Sequence, residues 1–210
     1  MHDAKPAATL ILLREASSGP PEMLMVRRDR AMAFAAGAWV WPGGRVDPED
    51  REAATSDLQA AQIAAVREAV EEVAMPAVDP ETLVPFARWL PKFNVERRFD
   101  TWFFLARAPQ ADWKLELQDG EIIDATWTSA QAMLDRIARG EASAIFPTLR
   151  NLERLAGFAT IEEAFADAAA HPTDPITPWV ETRGGVDHIV IPDGIGYPVT
   201  AEPLTTATRA

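Results

Sequence analysis

Cysteine is absent from the 210-residue sequence. Its absence excludes disulfides, thiolate metal sites and a cysteine nucleophile. Long hydrophobic runs are also missing: no stretch reaches the roughly 20 apolar residues that a membrane-spanning helix needs, and the first apolar run is broken at Arg14. A soluble, cytoplasmic protein with no membrane partner is the expectation. Positive charge is scarce, with 20 basic against 32 acidic residues and a net charge of −12. Such a field repels polyanions, so nucleic acid is not an expected partner. The three histidines, His2, His171 and His188, are scattered without metal-ligand spacing. A small anionic ligand would therefore need metal ions or a local basic patch.

What remains is 48% hydrophobic, enough for one substantial core. The pattern divides into a domain over residues 1–170 and an irregular tail over 171–210 rich in Pro, Thr and Gly, with one strand at 188–191. Strands are expected at 7–13, 22–28, 38–41, 83–89, 99–106 and 121–127. The 38–41 strand runs into Pro42-Gly43-Gly44, where proline ends a ladder and glycines permit a sharp turn. Ser56 with Gln59 reads as a capping box opening a helix to about Met75, ahead of Pro76. Ile63, Val66, Val70 and Val73 are spaced to form its apolar face, with Glu68, Glu71 and Glu72 roughly opposite. Ser129, Pro147 and Thr160 with Glu163 mark three further helix starts. The fold class is α/β, a mixed sheet between helices with a C-terminal helical extension.

Arg67-Glu68-Ala69-Val70-Glu71-Glu72 carries the strongest chemical signal. Residues three and four apart are neighbours on a helix, so three carboxylates crowd one patch and Arg67 reaches Glu71. Crowding disfavours ionisation unless a cation sits among them, and hard divalent ions prefer oxygen ligands. Alone, a Glu- and Arg-rich run on an Ala-rich helix is an ordinary solvated face. The preceding strand and glycine pair change that reading, because Gly43 and Gly44 let backbone approach a ligand closely.

Together these residues resemble the Nudix box, G-x5-E-x7-R-E-U-x-E-E-x-G-U with U a bulky aliphatic residue. Gly44 matches the first glycine, and Arg67 to Met75 matches the second half with every charged residue present. Ala74 replaces the second glycine, a change expected to be tolerated within a helix. Counting from Gly44 puts the first acid at Asp50, with Glu49 and Glu52 as neighbouring alternatives. Sixteen residues separate Asp50 from Arg67, so the box carries an insertion of about nine, expected between Arg51 and Gln59. That insertion, with Phe34, Trp39 to Asp47 and Arg97 to Phe104, is similar to the coenzyme A diphosphatase-like branch.

The resemblance implies a metal-dependent hydrolase cleaving the diphosphate bond of a nucleotide derivative with Mg²⁺ or Mn²⁺. Coenzyme A or an acyl-coenzyme A is the first substrate expectation, and ADP-ribose or another nucleoside diphosphate derivative the second. It implies metal ligands at Glu68, Glu71, Glu72, the Gly44 backbone and Glu121, with Glu68 also the base and Arg67 beside it in the catalytic set. Arg27, Arg28, Arg97 and Arg98 are candidates for substrate phosphates, since guanidinium groups pair with phosphate oxygens. Trp39, Trp41, Trp89 and Phe93 are weaker candidates for base stacking, because aromatic strand residues usually fill cores. The alternative is an inactive nucleotide-binding or sensing module of the same fold, favoured by Ala74 and Asp50. A homodimer is one assembly open to either reading.

Overall fold

The computed structural model describes residues 4–32, 34–91, 98–109 and 113–207. Strands β1 (Lys5–Arg14), β2 (Glu22–Arg28), β3 (Trp39–Val40), β4 (Gly43–Arg45), β5 (Val84–Trp89), β6 (Phe99–Arg107) and β7 (Ile122–Ser129) form one mixed sheet. β1 runs parallel to β6, and the other pairings are antiparallel. Helices α1 (Pro48–Glu52) and α2 (Asp57–Val73) follow β4, while α3 (Ala130–Ala138), α4 (Phe146–Leu155) and α5 (Ile161–Ala170) follow β7. This is the α/β arrangement expected.

β1 is apolar on both faces because the sheet is covered on both. Ile11 and Leu13 enter one core with Met23, Met25, Trp89 and residues of α3, α4 and α5. Ala8, Leu10 and Leu12 enter a second core against α2. α2 meets the sheet chiefly through alanines, with Ala61, Ala64, Ala65 and Ala69 all buried. The expected apolar stripe is half right: Val66 and Val73 are buried, but Val70 is 38% exposed and Ile63 only half-buried. Reading branched residues as the face overlooked alanine, whose small side chain brings the helix closer to the strands.

The helix caps follow the sequence pattern. Ser56, Ser129 and Thr160 each accept a backbone N–H three residues on, and Pro147 lies in the first turn of α4. The Ser56 box is only half formed, since the Gln59 side chain accepts from Thr55 N–H. α1 lies in the polar segment where no element was expected.

At the C-terminus of α2 the structure corrects the reading of Ala74. It is not inside the helix; it is the residue that terminates it, in left-handed geometry at φ +52° and ψ +36°. A non-glycine residue costs about 1–2 kcal/mol in that conformation. The last carbonyls of α2 find partners in the 113–121 segment: Gln118 N–H donates to Glu72 O at 3.0 Å and Trp113 Nε1 to Val73 O at 3.2 Å.

The segment beyond residue 170 also departs from expectation, because it holds three strands and a short helix rather than one strand in an irregular tail. β8 (Trp179–Arg183), β9 (Val186–Val190) and β10 (Ala201–Pro203) form a three-stranded antiparallel sheet, followed by α6 (Leu204–Ala207). Gly184 and Gly185, at φ +58° and +81°, make the two-residue hairpin turn that demands positive φ at both positions. Ile176 exchanges backbone hydrogen bonds with Arg88 and Leu90 at the end of β5. Tyr197 donates to Asn151 Oδ1 at 2.6 Å and accepts from Trp89 Nε1 at 3.2 Å. Buried Arg150 donates to both Glu153 and Glu202, and buried Arg154 donates to Asp167 and the Phe86 carbonyl. Among the described residues, no helix is long and apolar enough to cross a membrane.

Two outcomes are expected. Ala74→Gly relieves the left-handed strain and raises stability by roughly 0.5–1 kcal/mol after glycine's entropy cost, read as a higher urea midpoint at unchanged slope. Glu153 is pushed up to about 7, by burial first and then by the Glu202 charge, with Arg150 opposing. A carboxyl raised in the folded state holds its proton longer there, so its contribution to stability falls as pH rises from its ordinary value through about 7. Melting curves of Glu153→Gln between pH 4 and 8 should show a shallower decline than the parent; an equal decline contradicts this assignment.

Candidate active site

β1 and β2 touch only at Leu13–Met23 and Arg14–Glu22 and then separate. β3 stays on β2, with Val40 opposite Val26 and Trp39 opposite Arg27. β4 crosses to β1, with Gly43 opposite Thr9 and Gly44 opposite Ala8. Trp41-Pro42 bridges the gap, and the Pro42 carbonyl accepts from Leu10 N–H at 2.8 Å. The expected turn after the aromatic strand is this bridge.

Both glycines lie at close approaches, Gly43 against the β1 backbone and Gly44 under the Glu68 carboxyl. A Cβ at Gly43 would lie 2.4 Å from the Ala8 carbonyl oxygen, and one at Gly44 would lie 2.3 Å from the Glu68 carboxyl group. The Glu68 carboxylate therefore lies over the Gly44 backbone. One helical turn on, Glu72 accepts the Gly43 N–H at 3.0 Å. The last two turns of α2 thus press onto the glycine bridge.

Arg67 organises the acids around it. It donates through Nε and Nη2 to the two oxygens of Asp50, at 3.1 and 3.0 Å. It also donates to Glu68 at 3.0 Å, Glu71 at 3.2 Å and the Arg45 carbonyl at 2.9 Å. The Asp50 hydrogen bonds are the first cause of its raised pKa. Asp50 is 3% exposed, whereas Glu49 and Glu52 face solvent. The first acid of the box is therefore Asp50 in position, and here it serves as the buried partner of Arg67.

Burial dominates the electrostatics of the two inner glutamates. Glu72, 2% exposed, is pushed up to about 8 by desolvation and by the Glu68 and Glu121 charges, against the Gly43 N–H and Arg28. Arg28 Nη1 stands 4.0 Å from Glu72. Burial likewise raises Glu68, with Arg67 opposing and Glu71 and Asp47 adding. Glu72, expected roughly opposite the apolar stripe, instead lies at the edge of the buried face, three residues beyond Ala69. A divalent cation would relieve both carboxylates. Among the described residues, no three acidic or histidine side chains close a metal site by themselves. The donor set suits a hard ion held by one or two carboxylates and completed by substrate phosphates.

These residues line a cavity of about 800 Å³, within the range of small-molecule sites. Glu68, Glu71, Glu72, Gly44, Arg67, Arg28 and Glu121 all border it. Glu71 is half-exposed and tied to Arg67. Glu121 enters from the 118–121 turn, whose Gln118 side chain reaches it at 3.5 Å. Arg27 and Arg98 do not border the cavity. Arg27 extends over the Trp39 ring, and Arg98 offers its carbonyl to Lys5 N–H. Arg97 and Phe93 lie outside the described residues. Trp41 and Trp89 border the cavity and Trp39 does not.

Reading along the chain missed Lys5, a further cation at the cavity, and gave no site role to Arg45, Phe34 or Phe99, which it named only among the residues carrying the branch resemblance. The two rings lie 5.2 Å apart, and Phe34 is 38% exposed. No local pattern marks Lys5; the parallel pairing of Lys5 with Phe99 places it.

The NUDIX domain model matches residues 4–149. No curated protein sequence matches the chain significantly. Among solved structures, a NUDIX hydrolase from Alicyclobacillus acidocaldarius is similar at 28% identity and a TM-score of 0.70, over 79% of this chain and 97% of that one. The NUDIX domain of Shewanella oneidensis NrtR, solved with ADP ribose, is similar in fold at 17% identity and a TM-score of 0.53, over 73% of this chain and 86% of that one. With the glycine bridge, the arginine hub and the buried glutamates joined on one cavity, and a domain match over most of its length, the chain belongs to the NUDIX family and is a Nudix-type hydrolase.

Proposed function

We propose that the protein hydrolyses the diphosphate bond of a nucleotide derivative, with coenzyme A or an acyl-coenzyme A as the first candidate substrate and ADP-ribose as the second. The observation that carries this reading is the buried Glu72, pushed up to about 8 beside Glu68 at the glycine bridge. Two buried carboxylates this close together, each with few compensating donors, fit a cation-binding role better than a structural one. Glu68, Glu72 and the Gly44 backbone would hold a divalent ion, Mg²⁺ or Mn²⁺, with Glu71 and Glu121 at its margin. When bound, such an ion neutralises the diphosphate and supplies Lewis acidity.

The chain's own groups supply the rest. Glu68 lies against Gly44 and is raised by burial, so it is placed to accept a proton from an attacking water. Arg67 donates to Glu68 and Glu71 while anchored on buried Asp50, which makes it a positioning residue rather than a proton carrier. Arg28 faces the cavity beside Glu72 and can pair with phosphate oxygens, with Lys5 and Arg45 as further cations. Phe34 and Phe99 offer an aromatic surface for a nucleobase. The similar NrtR domain was solved with ADP ribose, which keeps that ligand among the candidates.

Asp50 and Ala74 were the features favouring an inactive binding module. Asp50 keeps Arg67 anchored and Ala74 keeps the glycine-like helix end, so both substitutions preserve the geometry on which hydrolysis depends.

The test is mass spectrometry of products from coenzyme A, an acyl-coenzyme A and ADP-ribose with Mg²⁺ or Mn²⁺. The parent protein should release nucleotide monophosphate products and lose turnover with chelator. Glu72→Gln should lower kcat by roughly 100-fold or more while its metal-free melting temperature is equal or higher, since a buried ionisable group has been removed. Turnover retained in that variant, or independent of metal, would sink the assignment.

A further inference from the structure

The residues bordering the cavity include a charged group and an uncharged one. α2, β4 and the end of β2 bring most of the charged groups, among them Glu68, Glu72, Arg67, Arg28 and Arg45, and Lys5, Asp47 and Glu121 add to them from elsewhere. The other group is uncharged and mostly apolar. Trp89 at the end of β5 and Ile145-Phe146-Pro147 at the start of α4 provide part of it. Phe34, Trp41, Phe99 and Phe103 add to it, and a further part comes from beyond the NUDIX match at 4–149: Pro178, Ile189, Leu204 and Ala207. These four belong to the C-terminal sheet, its entry and the helix that ends it.

This wall is anchored to the domain. Ile176 pairs with Arg88 and Leu90, which flank Trp89. Tyr197 meets Trp89 edge-on, with ring centroids 5.6 Å apart, and bonds Asn151 of α4. Glu202 of β10 is held by the buried Arg150. The elements that fix the C-terminal sheet, β5 and α4, thus also supply apolar groups of the cavity.

We infer that the C-terminal sheet and α6 form a specificity wall, whose Ile189, Leu204 and Ala207 receive an uncharged, apolar arm of the substrate on the far side of the scissile diphosphate. The inference rests on the hydrolase reading above for the location of the diphosphate. An arm of this kind matches the wall because apolar surface gains by leaving water, whereas a sugar would leave hydroxyls without partners there. The wall selects by ground-state contact, so its loss raises KM while kcat for a bound substrate persists.

The probes are two adenosine diphosphate esters, one carrying an octyl chain and the other a ribose (ADP-ribose). Titration calorimetry in chelator reads binding without turnover, using the full chain, Leu204→Glu and Ala207→Trp. The parent should bind the octyl ester at least tenfold more tightly than ADP-ribose. Leu204→Glu should erase that preference and leave ADP-ribose affinity within twofold, which also shows that the variant is folded. Ala207→Trp fills the same region and should act likewise. With metal added, Leu204→Glu should raise KM for the octyl ester at least tenfold and change kcat less than twofold. A parent without the preference, a parent binding neither compound, or a preference retained in both variants overturns the inference. Preferential binding without hydrolysis of either ester would count against the hydrolase reading alone.

Discussion

The site depends on one close approach: the end of α2 lies directly on the Pro42-Gly43-Gly44 bridge. The Gly43 N–H donates to Glu72, 29 residues away in the chain, and the Glu68 carboxyl occupies the space a Cβ at Gly44 would need. Nothing larger than glycine fits at Gly43, where the clash is with the β1 backbone, and a Cβ at Gly44 would displace the Glu68 carboxyl. β3 before the bridge pairs with β2 and β4 within it pairs with β1, so this segment fills the gap where those two strands separate.

That approach comes at an electrostatic cost. Bringing Glu72 under the sheet edge desolvates it, and the nearby Glu68 and Glu121 charges add to the strain. Arg67 eases the crowding on the outer side by spreading its donors over Asp50, Glu68 and Glu71. Inward, among the described residues, Glu72 has the Gly43 N–H and a distant Arg28 to offset its charge. Groups held away from their preferred charge state are concentrated where a ligand can relieve them. The α2 alanines make this arrangement feasible, since larger side chains would hold the helix away from the strands.

The second half of the molecule uses a different polar logic. Arg150 and Arg154 are buried in α4 and paired with acids from α4, α5 and β10. A buried pair of this kind adds little net stability, yet losing one partner costs about 3–5 kcal/mol because the other is stranded. Such pairs suit registration: they specify where the C-terminal segment docks more than how tightly. Gly196 contributes by close packing, as a Cβ there would lie 3.0 Å from Arg154 Nε.

Local chemistry made much of this legible along the chain. Caps at Ser56, Ser129 and Thr160, the proline opening α4, apolar strand runs and the Arg67 to Glu72 spacing all depend on residues within a few positions of one another. The Gly184-Gly185 hairpin was legible too and was overlooked, because alternation in exposed strands is weak beside abundant Pro and Thr. Tertiary structure alone decided that Ala74 ends α2 in left-handed geometry, that Asp50 rather than Glu49 or Glu52 anchors Arg67, and that Arg28 faces the cavity while Arg27 lies over Trp39. It also decided that Glu72 is buried and that residues beyond 170 help to enclose the cavity. Each of these turns on which distant backbone comes within a few ångströms of a side chain. The sequence alone determined which groups could do the chemistry, because spacing on one helix is a local property; which of them meet is decided only when the sheet closes.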